Sequence, residues 1–307
     1  MVSVLSPVEE QTAVPVREVA PTAIHIARVT VAYQVGRKGV KTILDGLDLE
    51  IAQGEFVVLL GQTGCGKSTL LRMILGQERP AGGAVFVGGG EVSRVSAACG
   101  YVPQKYSLYP DRTVLGNLVF GPETSRYHIL GRLLPGFRAF RREVRAEAMR
   151  QLDRMGLHAT DAEKYPHQLS GGMQQRVAIA QSLMMKPSIL LMDEAFSALD
   201  PSTRASLQRM MREIWLEKKP TVVFVTHNTA EALYLASRVI VLAKQGTQGQ
   251  SGAKVVLDRK LPTGMSLKRD GEEFLRLVEE IEGCSGGLDQ VDEAEAAILG
   301  IEAGEDV

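Results

Sequence analysis

Between residues 23 and 60 the apolar positions recur with a period near two. Ile24, Ile26, Val29 and Val31 interleave with small or polar residues, and Leu47, Leu49 and Ile51 do the same. That alternation predicts two antiparallel strands joined by a turn through Gly36 and Gly39. Phe56-Val57-Val58-Leu59-Leu60 is apolar without interruption and bounded by glycines, which predicts a strand buried on both faces, as in a parallel sheet. Ser188 to Met192, Val222 to Val225 and Val239 to Leu242 repeat this signature. A turn-rich, β-like stretch runs from Gly82 to Gly100. From Thr113 to about Leu169 β-branched runs give way to Arg, Leu, Ala and Glu, the composition of helices. Pro201 to Lys218 carries Leu207, Met210, Met211, Ile214 and Trp215 at helical spacing. No internal repeat is present, so the chain holds one copy of its unit.

Charge adds a contrast that the near-neutral total of -1 hides. Residues 271–307 hold twelve acidic residues and one base, Arg276, whereas the preceding 270 carry a net charge of +10. The acidic tail reads as a solvated segment. Residues 1–22, with Pro7, Pro15 and Pro21, read as a loose leader. No run approaches the roughly 18–20 apolar residues needed to cross a bilayer. The start has no basic stretch followed by an apolar one, which argues against a secretory signal. Cys65, Cys99 and Cys284 are odd in number and widely spaced, which fits neither a disulfide framework nor a metal cluster and favours a reducing compartment.

The candidate chemistry begins where the Phe56–Leu60 strand ends. Gly61-Gln62-Thr63-Gly64-Cys65-Gly66-Lys67-Ser68-Thr69 precedes the helical run Leu70, Leu71, Met73, Ile74, Leu75. Glycines allow a loop tight enough for successive N–H groups to face phosphate oxygens, and the helix N-terminus adds a favourable dipole. Lys67 suits the β/γ oxygens and the Ser68 hydroxyl suits Mg²⁺. Ile189-Leu190-Leu191-Met192-Asp193-Glu194 supplies the complement, a buried strand ending in carboxylates. Asp193 is placed for the metal's water shell and Glu194 for a general base that polarises an attacking water. Leu169-Ser170-Gly171-Gly172-Met173-Gln174-Gln175-Arg176 opens a second helix with anion-binding character. One nucleotide needs only one cradle, so a second anion site suggests phosphate gripped from two sides, by two chains.

With these motifs in order, residues 23–245 resemble the ATP-binding subunits of ABC transporters. Gly61–Thr69 is similar to Walker A, Gln104 to the Q-loop glutamine, Leu169–Arg176 to the signature, and Asp193-Glu194 to Walker B with its catalytic glutamate. Ser197-Ala198-Leu199-Asp200 is similar to the D-loop, His227 to the switch histidine, and Tyr33 to the adenine-stacking aromatic. The resemblance implies an α/β fold: a P-loop NTPase core with a mostly parallel central sheet, an antiparallel β-subdomain and a helical subdomain inserted at 113–170. Residues 246–307 then form a C-terminal extension with the acidic tail. It further implies that Ser170, Gly171, Gly172 and Asp200 of one copy complete the site of a second. His227 would join Glu194 and Lys67 in catalysis, and Gln104, Ser68 and Asp193 would serve the metal. Ala195 and Asn228 depart from frequent family residues, and the Arg126–Arg150 segment is longer than usual.

As implied by the resemblance, the chain hydrolyses ATP with Mg²⁺ and powers a separate integral-membrane permease. It pairs with a second ATP-binding subunit, works indirectly with a periplasmic solute-binding protein, and takes no nucleic acid. Its place is peripheral, on the cytoplasmic face of the inner membrane. Thr226-His227-Asn228 leading into Glu231-Ala232-Leu233, and Ser237-Arg238-Val239-Ile240-Val241-Leu242, are similar to the nitrate/sulfonate/taurine importer type. The glycine betaine type, an exporter and a non-transport soluble ABC ATPase stay as alternatives. Tyr165-Pro166-His167-Gln168 favours importers, and the absence of an Asn-Lys-x-Asp sequence argues against a GTPase.

Overall fold

A computed structural model describes residues 20–35, 39–105, 107–127, 131, 135–244, 252–261 and 272–285. The first two strands, β1 (Thr22–Val35) and β2 (Gly39–Ala52), pair antiparallel with Val31 opposite Leu44. Buried positions in β1 change parity from Ile24 and Ile26 to Val29 and Val31. The change falls at a register shift where Arg28 takes φ 46°, so a β-bulge explains the broken alternation. Strands β4 (Gly82–Val87) and β5 (Gly90–Glu91) extend this antiparallel layer, β4 pairing with β1. Of the expected turn between β1 and β2, positions 36–38 lie outside the described residues.

The central sheet is mostly parallel, as expected. Strands β3 (Phe56–Leu60), β6 (Cys99–Val102), β7 (Ile189–Asp193), β8 (Thr221–Val225) and β9 (Arg238–Lys244) run in one direction, in the spatial order β9-β3-β8-β7-β6. All residues of β3, β7 and β8 are buried. Alternate side chains of β3 feed two cores: Val57 and Leu59 pack with Leu70 and Ile74 of α1 (Lys67–Leu75), while Phe56, Val58 and Leu60 face the helices of the opposite side. That two-sided burial is why these strands read as continuous apolar runs.

The helical region consists of α2 (Val114–Arg126), α3 (Pro135–Arg154) and α4 (Gly171–Met184), with short 3₁₀ turns at 159–163 and 166–168. Thr113 caps α2 by accepting from Gly116 N–H at 3.1 Å. Then follow α5 (Pro201–Lys218) and α6 (Thr229–Leu235).

Two elements correct the reading of the C-terminal end. Strand β10 (Ala253–Lys260) pairs antiparallel with β9 and touches β2 at Ala253 and Leu44, joining the antiparallel layer to the central sheet. Helix α7 (Glu272–Ser285) lies within the supposed solvated tail, yet buries Phe274, Leu277 and Ile281 in the core. Spacing of three and four residues places those side chains on one face, and the acidic residues take the other. The boundary expected at 245 therefore does not end the fold. Positions 286–307 and the leader's 1–19 lie outside the described residues.

Candidate functional site

The sheet register brings the chemistry together. Leu59 of β3 lies opposite Val225 of β8, and Val225 lies opposite Asp193 of β7. Three strands thus end in one row, and the loops leaving them carry Gly61–Ser68, Glu194 and His227. Binding at the carboxyl ends of parallel strands follows from this topology. Val102 of β6, opposite Met192, brings Gln104 to the same row.

The phosphate loop is held by close backbone approach. Gly61 has φ 147°, and a Cβ there would stand 2.2 Å from the Leu242 carbonyl oxygen. Lys67, 6% exposed, turns its Nζ back on the loop, donating to the Gly61 carbonyl and to the Gln62 carbonyl at 3.1 Å. Its amine is thereby fixed inside the curve of the loop. Cys65 is buried beneath it, with Sγ 3.9 Å from Nζ. Helix α1 starts at once, so the first-turn N–H groups of Lys67, Ser68 and Thr69 open onto the cradle.

Ser68 Oγ donates to Asp193 Oδ1 at 2.9 Å. A hydroxyl and a carboxylate oxygen in contact at the mouth of a phosphate loop form the hard-oxygen pair that Mg²⁺ takes alongside phosphate and water, so these residues fit the ion. Among the described residues no group of three or more His, Cys, Asp or Glu could hold a metal by itself. Tyr101 also reaches Asp193, its hydroxyl 3.5 Å from Oδ2. Burial first, and then the Asp193 charge, push the Tyr101 phenol up to about 12. Tyr101 thus remains a donor that orients the carboxylate. Reading the motifs missed it because a tyrosine within a strand gives no signal beyond strand propensity.

Glu194 takes φ 45°, a left-handed conformation that costs a non-glycine residue roughly 1–3 kcal/mol. Its N–H donates to the Val225 carbonyl at 2.9 Å, and its own carbonyl accepts from Ser197 N–H at 3.1 Å and Ser197 Oγ at 2.9 Å. These bonds hold the turn and aim the side chain out of the strand row. Gln104 Nε2 donates to Glu194 Oε2 at 2.6 Å, and His227 Nδ1 stands 4.0 Å from Oε1. Gln104, Glu194 and His227 are therefore together.

Ser170 caps α4, accepting from Met173 N–H at 3.3 Å. A Cβ on Gly172 would meet Thr203 Cγ2 of α5 at 2.8 Å. Asp200 caps α5, accepting from Thr203 N–H at 3.0 Å and from Ser202 Oγ at 2.7 Å. The Thr203 bonds first, and then Ser202, hold its carboxyl well below the usual range. These contacts of Ser170, Gly172 and Asp200 stay within α4, α5 and the turns that start them. Tyr33, 40% exposed, donates to Glu78 across the outer side of α1. Glu78 also accepts from Arg72 Nε at 3.1 Å. A cavity of about 1070 Å³ lies at the opposite ends of the strands, beside Gly54, Ala98, Ser188 and Thr221.

Comparison with known proteins agrees with this geometry. The ABC transporter family matches residues 44–197. The chain belongs to that family. It is 39% identical over 252 residues to an uncharacterized ABC transporter ATP-binding protein of Methanocaldococcus jannaschii, covering 82% of this chain and 89% of the relative. A nitrate import ATP-binding protein of Synechocystis sp. is 37% identical over 265 residues, covering 85% and 94%. An aliphatic sulfonates import ATP-binding protein of Mesorhizobium japonicum is 37% identical over 241 residues, covering 78% and 82%. Among solved structures, the dimeric ATP-binding cassette MJ0796, bound to ADP and Pi, superimposes with a TM-score of 0.65 at 30% identity over 78% of this chain and 99% of that one. The fold is therefore that of an ABC ATPase, a P-loop NTPase, and ATP hydrolysis is the activity of the family. Among the described residues no helix is long and apolar enough to cross a membrane.

Proposed function

We propose that the chain is the ATP-hydrolysing subunit of an importer for a small solute of the nitrate or sulfonate type, working on a separate membrane permease from its cytoplasmic face. The observation that carries the reading is the strand row, which sets Lys67, Asp193, Glu194, Gln104 and His227 around one loop. Relatives named for nitrate and for aliphatic sulfonates import support the cargo class, since both cargoes are small oxyanions.

In this reading the adenine of ATP stacks on Tyr33 and the phosphates lie along Gly61–Thr69. Lys67 leaves the loop carbonyls for the β/γ oxygens, exchanging neutral acceptors for charged ones. Ser68, Asp193 and Gln104 would hold Mg²⁺, and the ion would supply neutralisation of the phosphate charge. Glu194 accepts the proton of the attacking water as its oxygen bonds to the γ-phosphorus and the bond to ADP breaks. His227 hydrogen-bonds the γ-phosphate and holds the water against Glu194. Ser170, Gly171 and Gly172 of a second copy close on the γ-phosphate from the other side, with Asp200 at the seam. Closure is then driven by ATP, because only the nucleotide-bound dimer completes both grips.

The experiment is reconstitution with the permease in liposomes, with solute-binding protein loaded in turn with nitrate, an alkanesulfonate or glycine betaine. The loaded oxyanion carrier should raise ATP hydrolysis and drive uptake, and Lys67→Ala should abolish both. Stimulation by the betaine-loaded carrier alone would overturn the cargo class.

A further inference from the structure

Behind His227 lies a polar cluster that the proposed chemistry does not use. Glu231, Gln208 and Thr226 are 5%, 1% and 3% exposed. Thr226 Oγ1 donates to Glu231 Oε2 at 2.5 Å, and Gln208 Nε2 donates to Glu231 Oε1 at 3.0 Å. The cluster continues into the backbone: Asn228 N–H donates to Thr226 Oγ1 at 3.1 Å, and Glu231 N–H to Asn228 Oδ1 at 2.8 Å. Both neighbours of His227 are thus held by the α6 residue Glu231, directly or through its N–H.

Burying a carboxylate and an amide here is costly. Gln208 Oε1 has no hydrogen-bond partner among the described residues. Its amide keeps this sense because turning over would set its carbonyl against the carboxylate. Apolar residues of similar volume commonly replace a buried polar pair without loss of stability. A buried acceptor left unsatisfied in a native fold calls for a role other than stability.

We infer that Glu231 is a positioning residue, which through Thr226 and Gln208 fixes the His227 loop to helix α5. Asp200 caps helix α5, which packs Thr203 against Gly172. Seating a second copy against the start of α4 or α5 is thereby felt at His227: Gln208 lies eight residues along α5 from Asp200, and its amide bonds the Glu231 carboxylate that holds Thr226. The inference rests on the role given to His227 above, and it assigns Glu231 no contact with nucleotide.

The test compares Glu231→Gln with the swap Gln208→Glu/Glu231→Gln, which restores a carboxylate–amide pair in the same space. Turnover is counted per site occupied by a fluorescent ATP analogue, well below the melting temperature. Glu231→Gln should lower kcat about tenfold to a hundredfold, the scale set by misplacing a reacting group by about 1 Å, with KM within about twofold. The swap should recover most of that loss. An unchanged kcat per occupied site overturns the inference, as does a swap variant that melts like the wild type and stays slow. If the swap does not fold, Glu231→Gln is added to His227→Ala and followed by single-turnover hydrolysis. No further loss supports the inference, and the same fold-loss as in the wild type overturns it. Failure of the underlying reading would look different: wild-type protein itself would not bind or cleave ATP.

Discussion

Replacing Gly61 by alanine tests whether the phosphate loop is shaped by backbone contact. The new Cβ would stand 2.2 Å from the Leu242 carbonyl oxygen and 2.9 Å from Cys65 Sγ. Leu242 cannot retreat freely, because its strand pairs with β3 on one side and with β10 on the other. The loop must instead move by about 1 Å to reach ordinary contact. Holding alanine at a backbone angle open only to glycine costs about 1–3 kcal/mol. Overpacking of a tight site adds about 1–3 kcal/mol. The sum, about 2–6 kcal/mol, is a large part of the roughly 5–15 kcal/mol that stabilises a domain. Gly64 is the internal control: its φ is 77°, but a Cβ there meets nothing within 4 Å. Gly64→Ala should therefore cost only the conformational penalty, about 1–2 kcal/mol. Urea denaturation of both variants, without nucleotide, gives the difference from the midpoints and slopes. Equal stabilities within about 0.5 kcal/mol would refute the steric argument.

Helix α7 should behave as core: Phe274→Ala should cost about 3–5 kcal/mol in denaturant titration, and a loss below about 1 kcal/mol would restore the solvated-tail reading. Cysteine reactivity should follow burial. Iodoacetamide near pH 8 should label the exposed Cys284 first, whereas Cys99, its thiol pushed up to about 11 by burial, should react only as pH approaches that value; equal rates would contradict the structure. The depressed carboxyl of Asp200 should keep α5 capped as pH falls through the ordinary carboxylate range. The sign follows from linkage: its stabilisation is present above the unfolded pKa and is lost only as pH falls through the lower, folded one. Asp200→Asn should accordingly lower stability by the same amount at every pH above 5, and a variant as stable as the wild type there would count against the charged cap.

The parts of the fold that were legible are those where burial imposes a simple pattern. Phe56–Leu60 is apolar on both faces because two cores meet there, and the loop that follows is marked by glycines whose purpose is steric. β10 and α7 were less visible for a physical reason. In Ala253–Lys260 the charges Lys254, Asp258, Arg259 and Lys260 stand beside Val255, Val256 and Leu257 in a strand only partly buried. In α7 the acidic residues dominate the composition, although Phe274, Leu277 and Ile281 keep helical spacing. Within the site, residues in loops with a fixed order were readable. Tyr101 and Gln208 were not, and Glu231 was legible only as part of a motif, because each is defined by a partner far along the chain: Asp193 for Tyr101, and one another for the last two. Ser197 was noticed only as part of a motif, and its hydrogen bonds to Glu194 supply the reason it is a serine.

In the proposed mechanism ATP is cleaved between two copies, each supplying half of the grip. The most direct measurement is the initial rate of ATP hydrolysis per chain at saturating ATP and Mg²⁺, followed over a wide dilution series of the purified chain. The rate per chain should fall as the protein is diluted and level off at high concentration, with Glu194→Gln accumulating ATP-bound dimers that do not turn over. A rate per chain that stays constant down to concentrations where sedimentation shows only monomer would contradict it.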